Sequence, residues 1–184
     1  LIILNKQDGS KQHNYQLGFI SAITQEEDTI KFEIRARENI IISDPVIKEA
    51  KHKFIHGFTK EPLIPFPKVK VYTLKELLAD KLAACINRYA PRDFYDINFA
   101  VDRKFNFEDK EFVELFKVKL ESDGNDTEIK KYTKNLGLSQ EIIKSVQEKI
   151  SNELYPVLNL QEQKNFNLSD MLNKINLIIE KISN

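Results

Sequence analysis

The run Thr73-Leu74-Lys75-Glu76-Leu77-Leu78-Ala79-Asp80-Lys81-Leu82-Ala83-Ala84-Cys85-Ile86-Asn87-Arg88-Tyr89-Ala90-Pro91-Arg92-Asp93-Phe94-Tyr95-Asp96 encodes two helices and the turn between them. Thr73-Leu74-Lys75-Glu76 has the form of a capping box, with the Thr hydroxyl accepting from the third amide and Glu76 reaching back, so a helix is expected from here to about Tyr89. Pro91 suits the first turn of the next helix, and Asp93 there faces the positive end of its dipole. At about 100° per residue with Leu74 at zero, Leu77, Leu78, Leu82, Cys85 and Tyr89 fall between about −60° and +80°, an apolar arc. Lys81, at about −20°, and Arg88, at about −40°, fall inside it, while Asp80 points away.

Two cations on an inward arc need an anion, because an unpaired buried charge costs several kcal/mol. Asp93 and Asp96 stand three apart on one face of the second helix, whose core side is Phe94, Ile97 and Val101. Two readings follow. In one, Lys81 and Arg88 bind phosphate while a carboxylate orients a cation or accepts a proton. In the other the four groups are a structural ion-pair network, with Arg92 and Asp96 paired at i,i+4 and the cationic stems snorkelling over the core.

Upstream the period changes to that of strands. Tyr15 to Ile23 and Thr29 to Arg37 form an expected hairpin around Gln25-Glu26-Glu27-Asp28. Ile30, Phe32 and Ile34 alternate with Lys31, Glu33 and Arg35, giving an expected core face and a polar face turned towards Lys81 and Asp96. Pro45, Pro62, Pro65 and Pro67 predict a short helix and a loop between Asp44 and Pro67, with Val69 and Val71 a last short strand. Downstream, helices are expected at Glu108 to Leu120, Asp126 to Leu136, Gln140 to Leu154 and Leu168 to Ile182, with Gly137 and Ser139 a stop and a restart. The division is 1–72 for a sheet region and 73–184 for a helical region, an α+β chain.

The composition narrows the classes further. With 28 basic against 28 acidic residues and pI near 7.0, no global basic field is available for nucleic acid. No apolar run reaches the roughly 18 residues of a membrane span, so no membrane partner is expected. The single Cys85 allows neither an internal disulfide nor a cysteine zinc cage, which suits a reducing cytoplasm and makes it a core side chain. His13, His52 and His56 have no partner at a metal-ligand spacing, so no metal site is expected within this chain. Leu1-Ile2-Ile3-Leu4 reads as the middle of a strand, from which the chain is expected to be the C-terminal portion of a longer protein.

The 24 residues from Thr73 to Asp96 strongly resemble the signature helix pair of the AbiEii/AbiGii family, nucleotidyltransferase-like toxins of type IV toxin–antitoxin and abortive-infection systems. Ile30-Lys31-Phe32-Glu33-Ile34 is similar to that family's third motif, a strand whose acidic residue faces the nucleotide site. The resemblance implies a partial nucleotidyltransferase-like mixed sheet followed by a C-terminal helical bundle. It implies a transfer in which Mg²⁺-bound nucleoside triphosphate donates a nucleotidyl group to an RNA, such as tRNA, or protein acceptor, with a cognate antitoxin as partner. Lys81 and Asp96 match the catalytic positions; Arg88, Arg92 and Asp93, with Lys31 and Glu33, are the expected nucleotide- and phosphate-binding residues. The family's upstream Gly-Ser segment and Asp-x-Asp strand are not found here, so the chain alone is expected to be an incomplete enzyme. The rival class is a non-catalytic helical binding or regulatory module with a structural ion network.

Overall fold

A computed structural model describes residues 2–9, 12–22, 24–35, 42–51, 54–134, 136 and 138–184, without the side chains of Gln12 and Arg35; His52 and Gly137 lie outside these residues. The chain divides into two compact units, Leu1–Ile40 and Ile41–Asn184. Its class is α+β. All strand pairings among the described residues are antiparallel, in two small sheets.

The first unit is a meander of β1 (Ile2–Asp8), β2 (Gln12–Ile20) and β3 (Glu27–Arg35), in the order β1-β2-β3. The expected hairpin is β2–β3. Its turn closes with the Ser21 amide on the Glu26 carbonyl at 2.9 Å and Gln25 in the left-handed region at φ 59°. A bulge between Ile3 and Asn5 lays Leu4 over Gly18, where a Cβ would meet the Leu4 side chain at 2.9 Å and push it aside. Ile30, Phe32 and Ile34 do share one face, but it is not a buried one: they are 47%, 53% and 44% exposed. The alternation marks the pleat, while burial depends on what covers the pleat.

The second unit opens with β4 (Val46–Glu49) and β5 (Lys68–Val71), paired to each other. The expected short helix after Asp44 is therefore replaced by a strand. β4 ends before Pro62, Pro65 and Pro67, and none of these prolines lies in β5, so no ladder donor is lost. The helices follow: α1 (Leu74–Asn87), α2 (Pro91–Asp102), α3 (Lys110–Ser122), α4 (Gln140–Lys149), α5 (Leu160–Asn165) and α6 (Leu168–Ile182). The helix expected over Asp126 to Leu136 is only a 3₁₀ turn, Ile129–Tyr132. Asp126 there accepts the Glu128 amide at 2.8 Å, and its carbonyl takes the Tyr132 hydroxyl at 2.9 Å, a local closure that competes with helix. The helix expected over Gln140 to Leu154 widens into a π turn at Ile150–Leu154. Phe94, Ile97, Phe112, Phe116, Ile175 and Ile179 are fully buried in the core.

Candidate active site

The turn between α1 and α2 is built to bring charges together. Thr73 Oγ1 accepts the Glu76 amide at 3.2 Å and starts α1, while Arg88 caps its other end through the Ala84 carbonyl. Tyr89 then takes φ +52°, a left-handed conformation that reverses the chain at some cost in a non-glycine residue. Ala90 is extended, Pro91 begins α2, and the Asp93 amide donates to the Ala90 carbonyl at 3.0 Å. Asp93 is thereby set in the first turn of α2, five residues from Arg88 at the end of α1.

Arg88 grips Asp93 in a fork, Nε to Oδ2 at 2.6 Å and Nη2 to Oδ1 at 2.7 Å. Lys81 Nζ adds a bond to Asp93 Oδ1 at 3.0 Å and reaches Asp96 Oδ2 at 2.7 Å. The two carboxylates differ in setting. The Asp93 side chain is 1% exposed with both oxygens bonded to cations, whereas that of Asp96 is 44% exposed with one oxygen on Lys81. Burial opposes the charge of Asp93, but the hydrogen bonds from Arg88 and Lys81 outweigh it and hold the carboxyl below its ordinary range. Burial likewise works against Lys81, and its bonds to Asp96 and Asp93 prevail, so the amine stays protonated.

Arg92, Lys31 and Glu33 have partners of their own. Arg92 Nε donates to the Glu153 carbonyl at 2.5 Å, tying α2 to the π turn instead of pairing with Asp96. Lys31 and Glu33 pair with each other on β3 at 2.6 Å, within the first unit. On α1 the buried residues are Glu76, Leu78, Ala79, Leu82, Ala83, Cys85 and Ile86. Leu74 and Leu77 are exposed at 61% and 41%. The buried arc thus runs from about 20° to about 200°, and Lys81 and Arg88 stand on its rim rather than inside it. Lys81 is accordingly half-buried, its side chain 27% exposed.

A second ionic cluster escaped the sequence reading. Glu76 does not complete a capping box; its side chain crosses to the segment before β4, Oε1 accepting the Ile42 amide at 2.7 Å and Oε2 the Ser43 amide at 2.8 Å. Lys119 of α3 pairs with Glu76 at 2.8 Å and with Asp80 at 3.1 Å, so Asp80, which points away from Lys81 and Arg88, serves a third cation. The signal was present in α3, where Lys119 is flanked by Leu115, Phe116 and Leu120 at helical spacing. Among the described residues no three His, Cys, Asp or Glu side chains converge to hold a metal ion, and no helix is long and apolar enough to cross a membrane. Cys85 is buried, and burial pushes its thiol well up.

This is an α+β chain whose helix pair presents a half-exposed acid beside a lysine and an arginine, both anchored on a buried acid. The family described as "Nucleotidyl transferase AbiEii toxin, Type IV TA system" matches residues 2–173, and the chain belongs to that family. No curated protein matches it. Two solved structures are similar: JHP933 from Helicobacter pylori, at 16% identity and TM-score 0.44, and a candidate nucleotidyltransferase from H. pylori, at 15% identity and TM-score 0.48. Each match covers 99% of this chain but 64% and 66% of those chains, so the chain spans just under two thirds of their length.

Proposed function

We propose that the chain is the part of a nucleotidyltransferase toxin that carries the helix-pair side of the active site. The observation that supports this is the unequal use of the two acids: Asp93 spends both oxygens on Lys81 and Arg88, leaving Asp96 half-exposed and bonded to Lys81 alone. In this reading Asp93 is a positioning residue. Lys81 and the half-exposed Arg88 offer N–H donors to the phosphates of a nucleoside triphosphate, where Lys81 stabilises charge as it develops. Asp96 accepts the proton of the attacking hydroxyl on an RNA or protein acceptor. Arg92 holds α2 in place through Glu153. A cognate antitoxin is the partner that family membership implies, and the cytoplasm the compartment. Mg²⁺ is the metal that the family implies, but the described residues do not fit it: Asp93 has no oxygen to spare and no third ligand joins Asp96.

The rival reading, a binding module, is favoured by one feature: Lys81, Arg88, Asp93 and Asp96 form a balanced network with no net charge. The two part under one experiment. Nucleoside triphosphates labelled at the α-phosphate are incubated with Mg²⁺, total RNA and the protein that carries this chain, unaltered or with Lys81→Ala. Label on RNA or protein that disappears with Lys81→Ala supports transfer; no labelling by the unaltered protein supports the module.

A further inference from the structure

The segment from Val46 to Val71 is a two-stranded ribbon that ends in a well-tied turn. Pairing runs from Val46↔Val71 to Glu49↔Lys68 and continues through the Ala50 amide on the Pro67 carbonyl and the Leu63 amide on the Phe54 carbonyl, both at 2.8 Å. The turn closes with the His56 amide on the Glu61 carbonyl at 2.8 Å and the Lys60 amide on the His56 carbonyl at 3.0 Å. The Thr59 amide donates to His56 Nδ1 at 3.2 Å, and Lys60 takes φ +60°. These bonds fix the residue they leave outside, Phe58, which is 94% exposed.

A two-stranded ribbon is marginal by itself and is normally held by a buried apolar face. This one has none among the described residues: every residue of β4 is exposed, and so are Ile55, Leu63 and Ile64 behind the tip. Its charge is also unlike that of the whole chain. Between Asp44 and Lys70 stand Lys48, Lys51, Lys53, Lys60, Lys68 and Lys70 against Asp44, Glu49 and Glu61, a local excess of cations in a neutral protein. Ammonium groups interleaved with an exposed ring suit single-stranded nucleic acid, whose phosphates take the amines while an unpaired base stacks on the ring. A lipid surface could also meet Phe58 together with the exposed Phe54, Ile55, Leu63 and Ile64 behind it, but the excess of lysines along both strands favours a polyanionic strand.

We propose that the Val46–Val71 ribbon is a docking arm for single-stranded nucleic acid, with Phe58 stacking on an unpaired base and Lys60 and the strand lysines on its phosphates. Where the transfer reading holds, the docked strand is the acceptor; the docking is measured without nucleotide and stands or falls separately.

The test is fluorescence anisotropy of the full chain with labelled RNA and DNA single strands of about 12 nucleotides, near the upper range of a single site, and with the matching duplex. Binding is expected to weaken as salt rises, with single strands held more tightly than duplex. Phe58→Ala should weaken it by about tenfold, and Phe58→Trp should retain it. Lys60→Glu with Lys70→Glu should lower affinity and flatten the salt dependence. Circular dichroism of each variant checks folding; if Phe58→Ala fails to fold, the Trp and Glu variants decide. The proposal is overturned if no strand binds, if Phe58→Ala binds normally, or if duplex binds as tightly as single strand. It is equally overturned if vesicles of phosphatidylserine and phosphatidylcholine, rather than the oligonucleotides, bind in a way that depends on Phe58.

Discussion

Arg88 and Asp93 form a two-bond fork, at 2.6 and 2.7 Å, across the turn that joins α1 to α2. Because the Asp93 side chain is buried while that of Arg88 is half exposed, the charge that cannot escape to water is the acid's. Asp93→Asn keeps the shape but leaves Lys81 and Arg88 to share what remains. A broken buried pair costs about 3–5 kcal/mol, and the exposure of Arg88 places this one lower, at about 2 kcal/mol. Urea unfolding should show a lower midpoint with an unchanged slope.

Asp96 gives the opposite balance. Its bond to Lys81 is half exposed, so Asp96→Asn should change stability by less than about 1 kcal/mol. If Asp96 takes the proton of the attacking group, transfer in the protein carrying this chain should fall by at least about 10². Measuring melting temperature and transfer on the same variant separates the roles. Retained transfer would remove Asp96 from the chemistry.

What the sequence made legible was local. The Thr73 cap, Pro91 at the start of α2, the Ser139 restart and the last helix all rest on contacts within one or two turns, and each stands in the structure. Glu76 shows the limit: Thr73 and Glu76 have the capping-box spacing, yet the carboxylate's partners lie 33, 34 and 43 residues away. No periodicity distinguishes an acid that reaches back from one that crosses to another element. The same reason rotated the arc of α1: Ala79, Ala83 and Ile86 face neighbouring elements, and Leu74 and Leu77 do not. For the site, the approach of Lys81 and Arg88 to Asp93 and Asp96 was readable because all four lie within 16 residues. The departure of Arg92 to Glu153 was not.

The Glu76–Lys119 pair predicts acid sensitivity. Burial opposes the charge of Glu76, but Lys119 and the Ile42 and Ser43 amides outweigh it, so its carboxyl lies below the ordinary 4.5. A carboxyl lowered by folding stabilises fully above its unfolded value and loses that contribution as pH falls through its folded value. Asp93 acts in the same sense below its ordinary 3.8, while Asp80, pushed up by burial, opposes them. Melting temperature should therefore hold near neutrality and fall below about pH 4.5. Glu76→Gln should cost about 3 kcal/mol at pH 7 and flatten the acid limb. A variant with the unaltered acid profile would show that Glu76 does not govern it.

α2 and α3 end in the same motif with different residues at the left-handed position. In α3 the Asn125 amide reaches the Leu120 carbonyl at 2.9 Å and the Gly124 amide that of Glu121 at 2.9 Å, with Gly124 at φ +77°. In α2 the Phe105 amide reaches Ala100 at 3.0 Å and the Lys104 amide reaches Val101 at 2.8 Å, with Lys104 at φ +58°. Glycine bears no Cβ penalty in that region, whereas a lysine does, by roughly 1 kcal/mol. Lys104 is exposed, so replacing it sacrifices no packing. Against the gain stands the larger freedom glycine gives the unfolded chain, which removes part of it. Lys104→Gly should stabilise by about 0.5 kcal/mol, read as a small rise in the urea midpoint, whereas Lys104→Ala should change little because alanine keeps the Cβ. A fall in the midpoint for Lys104→Gly would show that unfolded-state entropy outweighs the strain at this cap.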